Sequence, residues 1–226
     1  NTTLFLSARV LWREGLARLL FIDLSQSKLI DVRDASSLDG VLKKLNLDKA
    51  ARYAREDLAR IASEGRLAYV ATGSLMKVGA ELLITLLLEK PRTGQVVASI
   101  ELTCQNEADF GTKTDELAAR IKAAVGLRPE QITADAGRAI QEVTTRSPEA
   151  MKYYLQAYED FRLMDYAKTR GLLERAIECD PDFAMAYVML AVSFEGDAQY
   201  AKGRELRKKA LDLRARLPEG EGDMVE

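Results

Sequence analysis

From residue 7 to residue 25 the apolar positions return every three or four residues. Leu16, Leu20 and Leu24 follow i, i+4, i+8, with Trp12 and Leu19 beside the stripe, and this predicts an amphipathic helix. The polar run "SQSK" ends it and leads into a short strand at 29–33. A second helix is expected from Asp48, with Ala51, Ala54, Leu58 and Ile61 on one face and Gly65 as its left-handed C-terminal residue. The period then changes. Residues 67–76 are rich in β-formers, and 82–88 are apolar on both faces, as in a covered central strand. Val96, Ala98, Ile100 and Leu102 alternate with Val97, Ser99, Glu101 and Thr103, the pattern of a half-buried strand. "KVGAE" and "PRTG" separate these runs as turns, with Gly79 and Gly94 supplying positive φ. A helix at 114–125, with Leu117, Ile121 and Ala124 inward, ends at Gly126.

The second half reads differently. Residues 128–147 form a linker of low hydrophobic content, helical around 134–143. Beyond it Tyr153, Ala157, Tyr166 and Ala176 recur as Tyr187, Ala191, Tyr200 and Ala210, each 34 residues later. Four helices follow from the pattern: 148–163, 166–179, 183–195 and 199–217. The fold class is therefore α+β: an α/β domain over 1–127 with a small mixed sheet and flanking helices, then an all-α array over 148–217 and a tail over 218–226.

Composition narrows the chemistry. Hydrophobic residues make up 47% and charged residues 30% of 226, as in a globular protein. A net charge of −2 and a pI near 5.6 argue against a nucleic-acid binder, which shows a basic domain or stripe. The chain has no histidine, which removes histidine triads and imidazole metal sites. Cys104 and Cys179 lie in different domains without a CxxC, so two small buried thiols are expected in place of a disulfide or zinc site. No apolar run approaches the roughly 18 residues of a membrane span. Asn1 at the start reads as the edge of an excised piece, so missing targeting signals say little about location.

The glycines at 73, 79 and 94 invite a phosphate loop. A P-loop needs GxxxxGK[ST] opening a helix, and a dinucleotide fold needs GxGxxG in the same place; neither is present. Ser74 in "TGSL" lacks the GxSxG elbow. Asp34, Asp39 and Asp48 are too scattered for a catalytic carboxylate pair. No catalytic, cofactor-binding or metal-binding residue is expected.

"EGLARLLFIDLSQSKLIDVRD", "LAYVATGSLMKVGAELLITLLLEKPRTGQVVAS" and "TDELAARIKAAVGL", in this order, resemble the TolB-type amino-terminal domain, related to the FlgO and curli-assembly families. The resemblance implies a non-catalytic α/β module of bacterial envelope and signalling proteins, here with "TTLFLS" as at most a remnant of the usual first strand. The 34-residue period, with "RAIECDPDF" closing the first unit, resembles the tetratricopeptide repeat. The alternative is an unrelated pair of helical hairpins. Thr169 and Gly203 take the small-residue position of the second helix, Gln156 replaces a leucine, and Ala215 stands where a proline belongs.

Projecting the repeat onto the chain places Met151, Tyr154, Tyr158, Phe161 and Arg162, then Met185, Val188, Val192 and Glu195, along a groove suited to a peptide. Packing of these residues within the protein is the competing expectation. Two units fall short of the three or so that an array needs, so Leu206, Ala210, Leu213 and Leu217 are expected as an uncovered strip driving weak self-association through 199–217. The basic run "KGRELRKKALDLRAR" reads as a solvated face, and Glu219, Glu221, Asp223 and Glu226 as a frayed end. Two functional classes remain. One is a non-enzymatic scaffold or sensor segment binding a protein or peptide partner; such tandems are similar to those attached to kinase, cyclase or DNA-binding outputs, and the resemblance favours an extracytoplasmic segment of a membrane-tethered bacterial protein over a cytoplasmic one. The other is a small-molecule-binding or degenerate enzyme domain assembled by its repeats, which converging carboxylates in a polar pocket would favour.

Overall fold

The computed structural model describes residues 2–7, 11–33, 37–48, 50, 53–79, 81–106 and 109–218. Ala51, Asp34 and the acidic residues 219, 221, 223 and 226 lie outside them, and the Trp12 side chain is likewise not described. The chain divides into two compact units, Asn1–Gly137 and Arg138–Glu226, with the boundary inside the stretch whose composition marks a linker.

The first unit is built on a five-stranded sheet in the order β2-β1-β3-β4-β5. Its strands are β1 (Thr2–Ser7), β2 (Ile30–Arg33), β3 (Tyr69–Val78), β4 (Glu81–Lys90) and β5 (Gln95–Cys104). β1 pairs in parallel with both β2 and β3, and β3, β4 and β5 form the antiparallel meander expected from the sequence. β1 corrects the reading of "TTLFLS" as a remnant: it is an interior strand, and Leu4 is fully buried. Interior parallel strands are apolar without clear alternation, so so short a run carries no period to detect. Gly79 and Gly94 do carry positive φ, 64° and 63°, in the two hairpin turns.

Helices α1 (Leu11–Ser25) and α4 (Phe110–Ala124) cover one face of the sheet. That face is made by Ala71, Leu82, Ile84, Leu86, Leu88, Ile100, Leu102 and Cys104, all buried. Val96 was expected in the same row and is 52% exposed. A bulge between Leu88 and Glu89 shifts the register, pairing Ala98 with Leu88 but Val96 with Glu89. On the opposite face α2 (Asp39–Lys44) and α3 (Arg55–Glu64) form a small core of Leu38, Leu42, Leu58, Ile61, Leu67 and Val70. The helix expected from Asp48 starts at Arg55 instead, where Asp57 accepts the Ala54 N–H, and α2 was not foreseen. Gly65 has φ −80°, and the left-handed residue is Arg66 (φ 53°). Gly65 is there for space: a Cβ would lie 3.0 Å from the Ile61 carbonyl and 3.2 Å from Leu38. A short helix α5 (Pro129–Ala134) closes the unit.

The second unit holds α6 (Ile140–Val143), α7 (Pro148–Arg162), α8 (Tyr166–Cys179), α9 (Ala184–Gly196), α10 (Tyr200–Asp212) and a 3-10 turn at Arg214–Arg216. Ser147 caps α7 by accepting the Ala150 N–H at 3.1 Å, with Pro148 in the first turn. α7 packs with α8, α8 with α9, and α9 with α10. The sequence period survives as geometry. Met164 and Ala198, 34 residues apart, both adopt φ 59° in the two hairpin turns. Ala157 and Ala191, and Ala176 and Ala210, are fully buried pairs at the same offset. Thr169 and Gly203, the substituted small positions, are buried too. At Gly203 a Cβ would come within 2.6 Å of the Glu195 side chain, so a larger residue there would have to displace the carboxylate that pairs with Arg207.

Candidate functional site

Side chains of α7 and α9 settle which of the expected groove residues could meet a partner. Tyr154 is 1% exposed and packs on Phe183, with ring centroids 4.8 Å apart and the rings tilted by 45°. Met185 and Val188 are also buried. These three belong to the core, which corrects their assignment to a groove: α9 is apolar on all sides, and a helix of that kind is enclosed. Glu195 is held by Arg207 through two bonds of 2.8 Å, which keep its carboxyl below the usual carboxylate range. Met151, Tyr158, Phe161 and Val192 remain half-buried, and Arg162 is exposed. Phe161 leans on Tyr166, with centroids 5.8 Å apart.

The apolar strip expected along the last helix is corrected at two of its four positions. Ala210 is fully buried and Leu217 is 4% exposed, while Leu206 and Leu213 are half-buried. α10 ends at Asp212, and the chain then tightens into the 3-10 turn, which packs against α6 and α9 instead of extending the helical strip. Among the described residues, the exposed large apolar side chains of this unit lie elsewhere, at the hairpin turns: Leu163 (78%), Met164 (75%) and Tyr200 (58%). Of the two thiols, Cys104 is buried as expected, but Cys179, at the end of α8, is exposed; both are free.

In the first unit the fold gathers charges that the sequence pattern did not single out. α1 brings Asp23, and α4 brings Asp115 and Lys122. The Asp23 carboxyl, 9% exposed, has its pKa pushed up to about 8, chiefly by burial, then by a hydrogen bond and the charge of Asp115, with Lys122 opposing. The Lys122 ammonium is 3.0 Å from the Asp135 carboxylate and donates to the Asp135 carbonyl at 2.8 Å. Ser27 Oγ donates to one Asp135 oxygen and the Lys28 N–H to the other, at 2.5 and 2.8 Å. Burial alone would raise the Asp135 pKa, but these three donors outweigh it and hold the carboxyl below its ordinary range. Both Asp135 oxygens are thus taken by the protein itself. The signal for the cluster was in the sequence: Asp23 falls in the leucine stripe of α1, and Lys122 follows Thr114 and Ala118 at four-residue steps on the buried face of α4. Among the described residues no group of three or more cysteine, aspartate or glutamate side chains is placed to hold a metal ion. No described helix is long and apolar enough to cross a membrane.

No family model matches the chain, and no curated protein matches it. Among solved structures, the LpoB C-terminal domain from Salmonella enterica is similar to 46% of this chain over 83% of its own length, at 16% identity and a TM-score of 0.40. The resemblances to TolB-type domains and tetratricopeptide repeats therefore rest on the residues that carry them.

Proposed function

We propose that the chain is a non-enzymatic protein-interaction segment, in which the helical unit takes an extended or helical stretch of a partner protein. The observation that carries the reading is the run of half-buried Met151, Tyr158, Phe161 and Val192 beside exposed Arg162, projected from first helices that repeat at 34 residues. Rigid aromatic and aliphatic side chains backed by a closed core, with an arginine at the rim, are the groups that carry binding energy at protein interfaces. In this reading the unit is a pair of tetratricopeptide-like hairpins, and the α/β unit is a TolB-like module. The absence of histidine and the internal pairing of Asp135 and Lys122 support the non-enzymatic part. The converging carboxylates would favour a small-molecule or degenerate enzyme domain only if they opened to solvent, and the Lys122 and Asp135 side chains are 4% and 5% exposed.

A photo-crosslinking residue at position 158 or 192 of the full chain should capture one and the same partner protein from the source cell. The same residue at Gly171, exposed on α8, should not. Equal capture at all three positions, or none at 158 and 192, would dismiss the reading.

A further inference from the structure

Linear repeat arrays hold each hairpin only to its neighbours, so the last one frays first. This unit departs from that rule. Residues 138–147 run from its beginning to its end. The Arg138 guanidinium donates to the backbone carbonyls of both Ala215 and Leu217. Arg216 reaches in the opposite direction, donating to the Thr144 carbonyl at 3.4 Å and lying 3.8 Å from the Asp180 carboxylate. Thr145 Oγ1 donates to the same Asp180 carboxylate, which also accepts the Asp182 N–H at 3.1 Å in the turn between α8 and α9. Ile140, Val143 and Thr144 are fully buried, Thr145 is 3% exposed, and α6 packs against the 3-10 turn. The Arg138 and Arg216–Thr144 bonds join residues more than 70 positions apart, and together the contacts gather the α8–α9 turn and the 3-10 turn after α10 around one segment.

We propose that residues 138–147 are a strap that ties the first hairpin of the helical unit to its last turn, converting a two-hairpin array into one closed cooperative body. Without it, the 3-10 turn that follows α10 would be held by α9 alone, and the carbonyls of Ala215 and Leu217 would lose their charged donor. The strap starts at the residue after Gly137, where the helical unit begins.

Amide hydrogen exchange on the full chain tests this. In the wild type, α8 and α10 should exchange with the same protection, as one cooperative unit does. In Arg138→Ala, and separately in Val143→Ser, protection of α10 and the 3-10 turn should fall by roughly ten- to a hundredfold, the scale of a lost charge-assisted pair or a buried anchor, with α8 falling less. Arg214→Ala, which changes an exposed arginine in the same turn, should leave the pattern as in the wild type. If the alanine variant fails to fold by circular dichroism, Arg138→Lys replaces it, keeping the charge and losing one of the two bonds. Wild-type protection already graded from α8 down to α10, or protection unchanged in the strap variants, would overturn the proposal.

Discussion

Tyr154 shows how one side chain can carry two readings until its neighbours are known. At groove spacing it looks like a partner contact; packed on Phe183 and 1% exposed, it is core. Tyr154→Ala should therefore lower the stability of the helical unit by about 3–5 kcal/mol, as aromatic deletions from packed interiors do, whereas Tyr158→Ala should cost well under half of that. Urea melts followed by circular dichroism will separate them. Asp23 offers a second test at this scale. Its folded pKa of about 8 lies above the ordinary 3.8, so the folded state holds a proton that the unfolded chain has released. The stabilisation is complete below pH 4 and is lost as pH rises toward 8. Asp23→Asn, which keeps the hydrogen bond to Asp115 without the charge, should flatten the fall in melting temperature of the first unit between pH 5 and pH 8. A wild-type melting temperature that does not fall over this window would show that Asp23 is ionised. Neither result follows from composition: Asp23 was legible only as a charge inside a leucine stripe, and its partner Asp115 lies 92 positions along the chain.

Elements were legible in proportion to their length and period. The meander and α7 to α10 repeat their apolar positions over ten or more residues, and α8 was delimited from the sequence to the residue, at Tyr166–Cys179. β1 and α2, each six residues long, fit no period that so few positions can express. Contacts between elements can still be read from single residues. Gly171 and Gly203 both sit inside helices, yet a Cβ at Gly171 meets nothing within 4 Å and one at Gly203 meets Glu195. Gly171→Ala should raise stability by up to about 1 kcal/mol through helix propensity, while Gly203→Ala should lower it despite the same propensity gain. Paired denaturation curves giving the same sign for both would mean that α9 and α10 do not approach as closely as described.

At the scale of the whole molecule, the two cysteines report on one unit each. Cys179 is exposed in the helical unit and Cys104 is buried beneath α4 in the α/β unit. An aromatic disulfide reagent should modify one thiol in the native protein and the second only when the first unit unfolds. The Cys179→Ser variant should then show the slow phase alone. Burial raises the Cys104 thiol pKa, and the charges of Asp109 and Glu116 add to it, so its reaction stays slow even at mildly alkaline pH. Fast modification of both thiols in native buffer would contradict the packing of β5 against α4.

The sequence by itself determined that the chain has an α/β part and a helical part, that three strands form a meander, and that the helices repeat at 34 residues. The first two follow from local periodicity and turn chemistry, which act within single elements, and the third from the recurrence of residue types along the chain. Only the tertiary structure decided that β1 lies inside the sheet, that the β5 register slips at Leu88, that Tyr154 and Leu217 are enclosed, and that Asp23, Asp115, Lys122 and Asp135 meet. Each of these depends on which distant segment fills the space beside a residue. An apolar position at helical spacing states that the side chain will leave water; what it packs against, whether its own chain or a partner, is set by geometry that no local pattern encodes.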